Sequence, residues 1–180
     1  MNVTELKQYL MSLDQSTIVG EVVELFRNFD MVKDYYETKL NPESASTILE
    51  KHKDTITHEF FPKRGFGKAR LSVARKAVLD FKKVSKNPNQ VIDLMLHYVE
   101  VGCRFTDEYG DIDEPFYNSM ESMYESALKF IVKNEAQQQH CQRCRQIAKN
   151  ATEGWGFRDQ LEGLFENYMA SNMSDSQFQS

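Results

Sequence analysis

Residues 87–115 read NPNQVIDLMLHYVEVGCRFTDEYGDIDEP, and the fold class follows from how this stretch is punctuated. Asn87 can cap a helix, and Pro88 fits the first helical position, where its missing N–H costs nothing. Val91, Met95, Tyr98, Val99 and Phe105 then recur at helical spacing. Gly110 is a stop signal, and Asp113-Glu114-Pro115 repeats the opening device before Phe116, Met120, Met123, Ala127, Leu128 and Ile131. Two long amphipathic helices joined by so short a turn predict an antiparallel hairpin.

The same grammar extends in both directions. Upstream, Leu6, Leu10 and Leu13 share one face of a first helix, expected over about 4–13. Asp14 or Ser16 can cap a second helix carrying Ile18, Val19, Val22, Val23, Leu25 and Phe26, and Asp30 a short third with Tyr35, Tyr36 and Leu40. Asn41-Pro42-Glu43 opens a fourth through Ala45, Ile48, Leu49, His52 and Ile56, ending near Phe60 because Pro62 disfavours a helical residue before it. Residues 61–68, with Pro62, Gly65 and Gly67, read as a loop. A fifth helix follows with Leu71, Ala74, Val78 and Phe81 facing inward. Downstream of Ile131, Cys141, Cys144, Ile147 and Ala148 repeat the helical spacing. Gly154-Trp155-Gly156 interrupts it, and Phe157, Leu161, Leu164, Phe165 and Tyr168 form a last helix. Trp155 is expected to plug the core between the last two helices. Residues 171–180 are polar and aperiodic and are expected to form a flexible tail.

The expectation is therefore an all-α domain over residues 1–170, of about eight or nine helices, arranged as stacked antiparallel hairpins in the manner of a solenoid or as an irregular bundle. With 8 Gly and 4 Pro in 180 residues, the chain has too few breakers for a β-sandwich, which needs a turn every ten residues or so. No window approaches the roughly 20 apolar residues of a membrane span. Residues 1–10 lack the basic-then-apolar pattern of a secretory signal. Three cysteines, Cys103, Cys141 and Cys144, are too few for a disulfide framework, and free thiols suit a reducing compartment. The expected location is the cytoplasm.

The formal net charge of −5 conceals a local asymmetry. Residues 51–86 carry eleven Lys or Arg against three Asp or Glu, a local +8, while residues 100–125 carry eight acids against Arg104 alone, a local −7. Lys63, Arg64, Lys68, Arg70, Arg75 and Lys76 are candidates for anion binding, because a basic loop feeding a helix N-terminus favours phosphate. The loop is not a nucleotide-binding P-loop, having neither the required glycine spacing nor a Ser or Thr after Lys68. The plainer reading is mutual neutralisation: Arg70 or Arg75 should pair with Asp107, Glu108, Asp111, Asp113 or Glu114, so that the acidic cluster serves structural ion pairs. Those acids fail the calcium-loop pattern, and Asp113 and Glu114 suit the positive end of the following helix.

The C-x-x-C of Cys141 and Cys144 has no second pair for a structural zinc. On one helical face, two small buried residues are the simpler explanation. His52, His58, His97 and His140 are scattered, and no nucleophile elbow exists. No metal and no cofactor is expected, and an enzyme is not favoured.

Finally, FPKRGFGKARLSVARKA (61–77), YVEVG (98–102), FTDEYGDIDE (105–114), FYNSMESM (116–123) and GWGF (154–157) resemble a family of small, uncharacterised all-helical bacterial proteins, across nearly the whole chain to Tyr168. The resemblance implies the fold and carries no activity. The leading expectation is a small helical scaffold that binds a protein or peptide partner, with nucleic-acid or other anion binding through residues 63–83 as the alternative.

Overall fold

The structure, a computed structural model, describes residues 1–170. The expected flexible tail, 171–180, lies outside the described residues. Among those described, all regular secondary structure is helical and there is no strand. In order, the helices are α1 (Val3–Met11), α2 (Gln15–Asn28), α3 (Asp30–Leu40), α4 (Ala45–Phe60), α5 (Leu71–Val84), α6 (Pro88–Tyr109), α7 (Glu114–Lys133), α8 (Gln137–Asn150) and α9 (Phe157–Phe165). A 3-10 turn spans Pro42–Ser44, another Gly154–Gly156, and a π turn Glu166–Ala170.

The caps fall where the side chains dictate. Asn2 accepts the Glu5 N–H while Glu5 accepts the Asn2 N–H, a reciprocal capping box at 3.0 Å each way. Asp14 accepts from the Thr17 N–H at 3.0 Å, Asn87 from Asn89 at 3.0 Å and Asp113 from Phe116 at 3.1 Å. Proline stands in the first turn of both α6 and α7. At α3 the expectation was off by one: Phe29 holds the cap position without a side-chain bond, and Asp30 opens the helix itself.

The chain divides into two compact units, Met1–Ala45 and a second beginning at Ser46. The first is a three-helix segment in which Tyr9 donates to Glu21 at 2.6 Å and Phe26 meets Tyr36 edge-on at 6.3 Å. Neither α1 nor α2 has a buried residue. Of the seventeen exposed large hydrophobic residues among those described, thirteen lie in this unit.

The second unit is organised around α6, in which twelve residues are buried, Ile92, Leu94, Leu96, Tyr98 and Val99 completely. Phe105 faces Phe116 at 5.9 Å, and seven residues earlier the Tyr98 hydroxyl meets Ser119 Oγ at 2.8 Å, so α7 runs antiparallel to α6. The α4 helix lies along α6 in the same direction: Lys53 pairs with Asp93 at 2.8 Å and Thr57 Oγ1 with His97 Nε2 at 2.9 Å. Phe60 meets Phe105 at 5.5 Å. On another side α8 brings His140 to Asn89 at 3.1 Å and Arg143 to Glu100 at 2.7 Å. With α5 also packed on α6, this helix meets α4, α5, α7 and α8. Within this unit the arrangement is therefore a bundle about a central helix, since solenoid repeats touch only the next repeat.

Candidate basic cleft and the charged face of α6

Residues 61–70 join α4 to α5 and are held against the end of α4. The Ala69 N–H donates to the Glu59 carbonyl at 2.8 Å. Gly67 lies so close to the Phe60 carbonyl that a Cβ there would strike it. Gly65 and Ala69 adopt positive φ, 76° and 43°, a conformation that is unstrained only for glycine. Beneath the loop Glu59, with a side chain only 6% exposed, accepts two bonds from Arg70: Nε at 2.8 Å and Nη2 at 2.7 Å. Those bonds outweigh the cost of burial and hold the Glu59 carboxyl below its ordinary range.

This scaffold borders an open cleft of about 440 Å³, lined by His58, Glu59, Pro62, Lys63, Arg64, Phe66, Lys68 and Arg70. Phe66 is 85% exposed. Its ring meets Tyr109 at 6.3 Å, Tyr109 stacks on Phe61 at 6.2 Å, and Arg104 covers the Phe61 ring at 4.8 Å. The loop thus presents cations beside an aromatic surface.

Four of the six anion-binding candidates, Lys63, Arg64, Lys68 and Arg70, share this cleft. The other two do not. Arg75 donates to Ser122 Oγ at 2.9 Å and the Ser119 carbonyl at 3.4 Å, anchoring α5 on α7. Lys76 pairs with Asp80 one turn along the same helix. Elsewhere in the basic stretch Lys53 pairs with Glu50 and Asp93, Lys83 with Asp80, and Lys82 lies over the Phe130 ring.

The expected neutralisation by the acidic cluster does not occur. Among the described residues, no ion pair joins Asp107, Glu108, Asp111, Asp113 or Glu114 to a base. The chain brings Arg70 back onto a closer and better shielded carboxylate, Glu59. Arg75 meets the middle of α7, beyond its acidic start. The acids are exposed and serve local geometry where a role is visible. Asp113 caps α7. Asp111 accepts from the Tyr117 hydroxyl at 3.1 Å and sits where a Cβ on Gly154 would meet it.

Sequence reasoning missed the charged face of α6. Asp93, His97, Glu100, Arg104 and Asp107 follow one another by three or four residues, a polar stripe on an otherwise apolar helix and visible in the sequence as such. What completes it comes from a distant helix. Arg143 of α8 bonds Asp93 at 2.5 Å and Glu100 at 2.7 and 2.8 Å, while Lys53 of α4 takes the other Asp93 oxygen. Burial opposes ionisation of Asp93, but Lys53 and Arg143 prevail and hold its carboxyl below the usual value. Burial lowers the His97 pKa, with Lys53 and Arg143 adding to the effect against the pull of Glu100. A groove of about 360 Å³ runs beside this network, with His97, Glu100, Arg104, Asp107, Arg143 and Asn150 in its walls.

The remaining candidates resolve simply. Cys103 and Cys144 are buried, and burial pushes both thiols up to about 12. Cys141 is partly exposed, and no cysteine is in a disulfide. Among the described residues no group of three His, Cys, Asp or Glu is placed to hold a metal. His52 is buried and packs against Phe81 at 5.5 Å. Trp155 departs from expectation: it is 64% exposed, in a left-handed conformation with φ 57°, and lies flat along Tyr117 at 6.4 Å. Phe157 takes the buried position against Tyr117 instead, at 5.2 Å and fully enclosed. No helix among the described residues is long and apolar enough to cross a membrane.

These features define an all-helical protein with a preformed basic cleft. The chain belongs to a family of unknown function, DUF6155, whose sequence model matches residues 1–169. No curated protein and no solved structure matches it.

Proposed function

We propose that the protein is a helical binding module that docks an acidic segment of a protein partner at the 61–70 loop. The observation that carries this reading is Phe66, 85% exposed on a pinned loop whose cleft is also lined by Lys63, Arg64 and Lys68. An aromatic anchor ringed by cations suits a partner offering an apolar side chain beside carboxylates or other anions. The absence of a disulfide at Cys103, Cys141 and Cys144 agrees with a reducing, cytoplasmic setting.

Nucleic acid is the second reading, because Phe66 and Tyr109 offer ring faces for bases. The engagement of Arg75, Lys76 and Lys83 disfavours it. Those pairings leave a compact patch rather than a track for the roughly six to ten phosphate contacts that give useful affinity for a duplex.

The test is site-directed cross-linking. A photoreactive phenylalanine analogue at position 66, in cells of the source organism, should give one discrete protein adduct. The same probe in a Lys63→Glu, Arg64→Glu, Lys68→Glu background should lose it. An adduct indifferent to charge reversal would refute the reading, and a nuclease-sensitive adduct would replace it with the second.

A further inference from the structure

We infer that the cleft of the 61–70 loop accepts a phosphate monoester, carried on a phosphorylated side chain or on a small phosphorylated metabolite. The inference rests on the docking surface proposed above and names the chemistry it takes.

The central group is Arg70. Its Nε and Nη2 are both committed to Glu59, which fixes the plane of the guanidinium, and Nη1 has no hydrogen-bond partner among the described residues. The guanidinium is thus a preset fork with one edge available to the cleft, a geometry suited to phosphate oxygens. Glu59 holds this fork from below while its own side chain is only 6% exposed. The Glu59–Arg70 pair is neutral as a unit, so Lys63, Arg64 and Lys68 set the sign of the site at three positive charges.

The ligand class follows from matching that charge. A carboxylate brings one negative charge. A phosphate monoester brings about −1.5 to −2 at neutral pH with three strong acceptor oxygens, and so can meet the Arg70 edge and two or three flanking cations together. The loop is also shaped before any ligand arrives. The Ala69 to Glu59 bond, the contact of Gly67 with Phe60 and the left-handed turns at Gly65 and Ala69 already set its path. Little backbone ordering is then left for binding to drive. Phe66, on the same rim, gives an adjoining apolar contact.

The experiment titrates the full chain, by calorimetry and by amide chemical shifts of residues 61–70, with four probes. These are inorganic phosphate, O-phosphoserine, a short phosphoserine peptide with a neighbouring leucine, and the same peptide with glutamate at the phosphorylated position. At least one phosphorylated probe should bind about tenfold or more tightly than the glutamate peptide. Arg64→Gln and Lys68→Gln should each weaken it several-fold, and Lys76→Gln, outside the cleft, should not. Arg70→Lys, which keeps the charge and loses the fork, should weaken it too. The amide spectrum of each variant shows whether the fold is intact, and Lys68→Gln leaves the Glu59 pair untouched if Arg70→Lys disturbs the loop. A phosphopeptide much tighter than O-phosphoserine places the group on a protein; comparable affinities place it on a metabolite. Equal binding of the glutamate and phosphoserine peptides, or no shift of the loop amides with any phosphorylated probe, overturns the inference. If the position-66 adduct still forms and still depends on charge, the docking reading survives that failure. If phosphate binds and no adduct forms, the docking reading fails alone.

Discussion

Arg70 reaches back eleven residues to grip Glu59 through two nitrogens, at 2.8 and 2.7 Å, across the start of the loop that it closes. One exposed and one buried residue thus fix both the path of residues 61–70 and the electrostatics of the cleft above them. The pair also makes stability depend on pH. The bonds from Arg70 hold the folded Glu59 pKa below its unfolded value. Its contribution is therefore complete above the ordinary carboxyl range, near 4.3, and lost as pH falls through the lower folded value. Urea midpoints of the native chain and Glu59→Gln, compared from pH 7 to pH 3, should differ most at neutral pH and converge in acid. A constant difference would mean that the carboxylate adds no pH-linked stability.

Two glycines give contrasting predictions. A Cβ on Gly67 would strike the Phe60 carbonyl, a backbone group that cannot turn aside. Gly67→Ala should destabilise by about 1–3 kcal/mol and shift the loop amides. A Cβ on Gly102, in the middle of α6, would meet the Met120 side chain, which is flexible and can repack. Alanine there also gains helix propensity of about 1 kcal/mol, so Gly102→Ala should lie within roughly 1 kcal/mol of the native chain. Thermal unfolding of the two variants distinguishes them directly.

Arg143 is the common partner of Asp93 and Glu100. Burial opposes its charge, and the two carboxylates more than offset that. Arg143→Met should cost on the order of 2–4 kcal/mol, because it strands the partly buried Glu100 carboxylate and leaves Asp93 with Lys53 alone. Adding Asp93→Leu and Glu100→Leu should recover much of the loss. His97, between Lys53 and Arg143, has a folded pKa below the unfolded value. The stability it contributes is complete above about pH 6.5 and declines as pH falls toward the folded value. His97→Gln should make that part of the stability profile shallower, the remainder coming from His140, whose pKa burial also lowers, and leave the carboxylate part, below about pH 4.5, in place.

The two units should differ in local stability. With no buried residue in α1 or α2, little apolar contact resists their opening, whereas α6 is enclosed along most of its length. Amide exchange in α1 and α2 should report opening free energies of only about 1–2 kcal/mol, with α6 and α7 near the global value. Equal protection across α2 and α6 would contradict this.

The helices and most of their ends were legible in the amino-acid order, because caps, prolines and apolar spacing act over four or five residues. Asp14, Asn87 and Asp113 each bond the N–H that their position predicts, and α4 ends at Phe60, two residues before Pro62. That order also marked the basic loop, and four of its six candidates share one cleft. Which charges meet depended on how the helices pack. Runs of opposite sign show that pairing is possible, but partners are chosen by reach and burial. Arg70 therefore met Glu59 rather than the acids at 107–114, and Arg143 met Asp93, fifty residues away. Trp155 shows the same division. Its glycine neighbours signalled an interruption, yet whether Trp155 or Phe157 filled the adjacent core depended on the direction in which that turn faced.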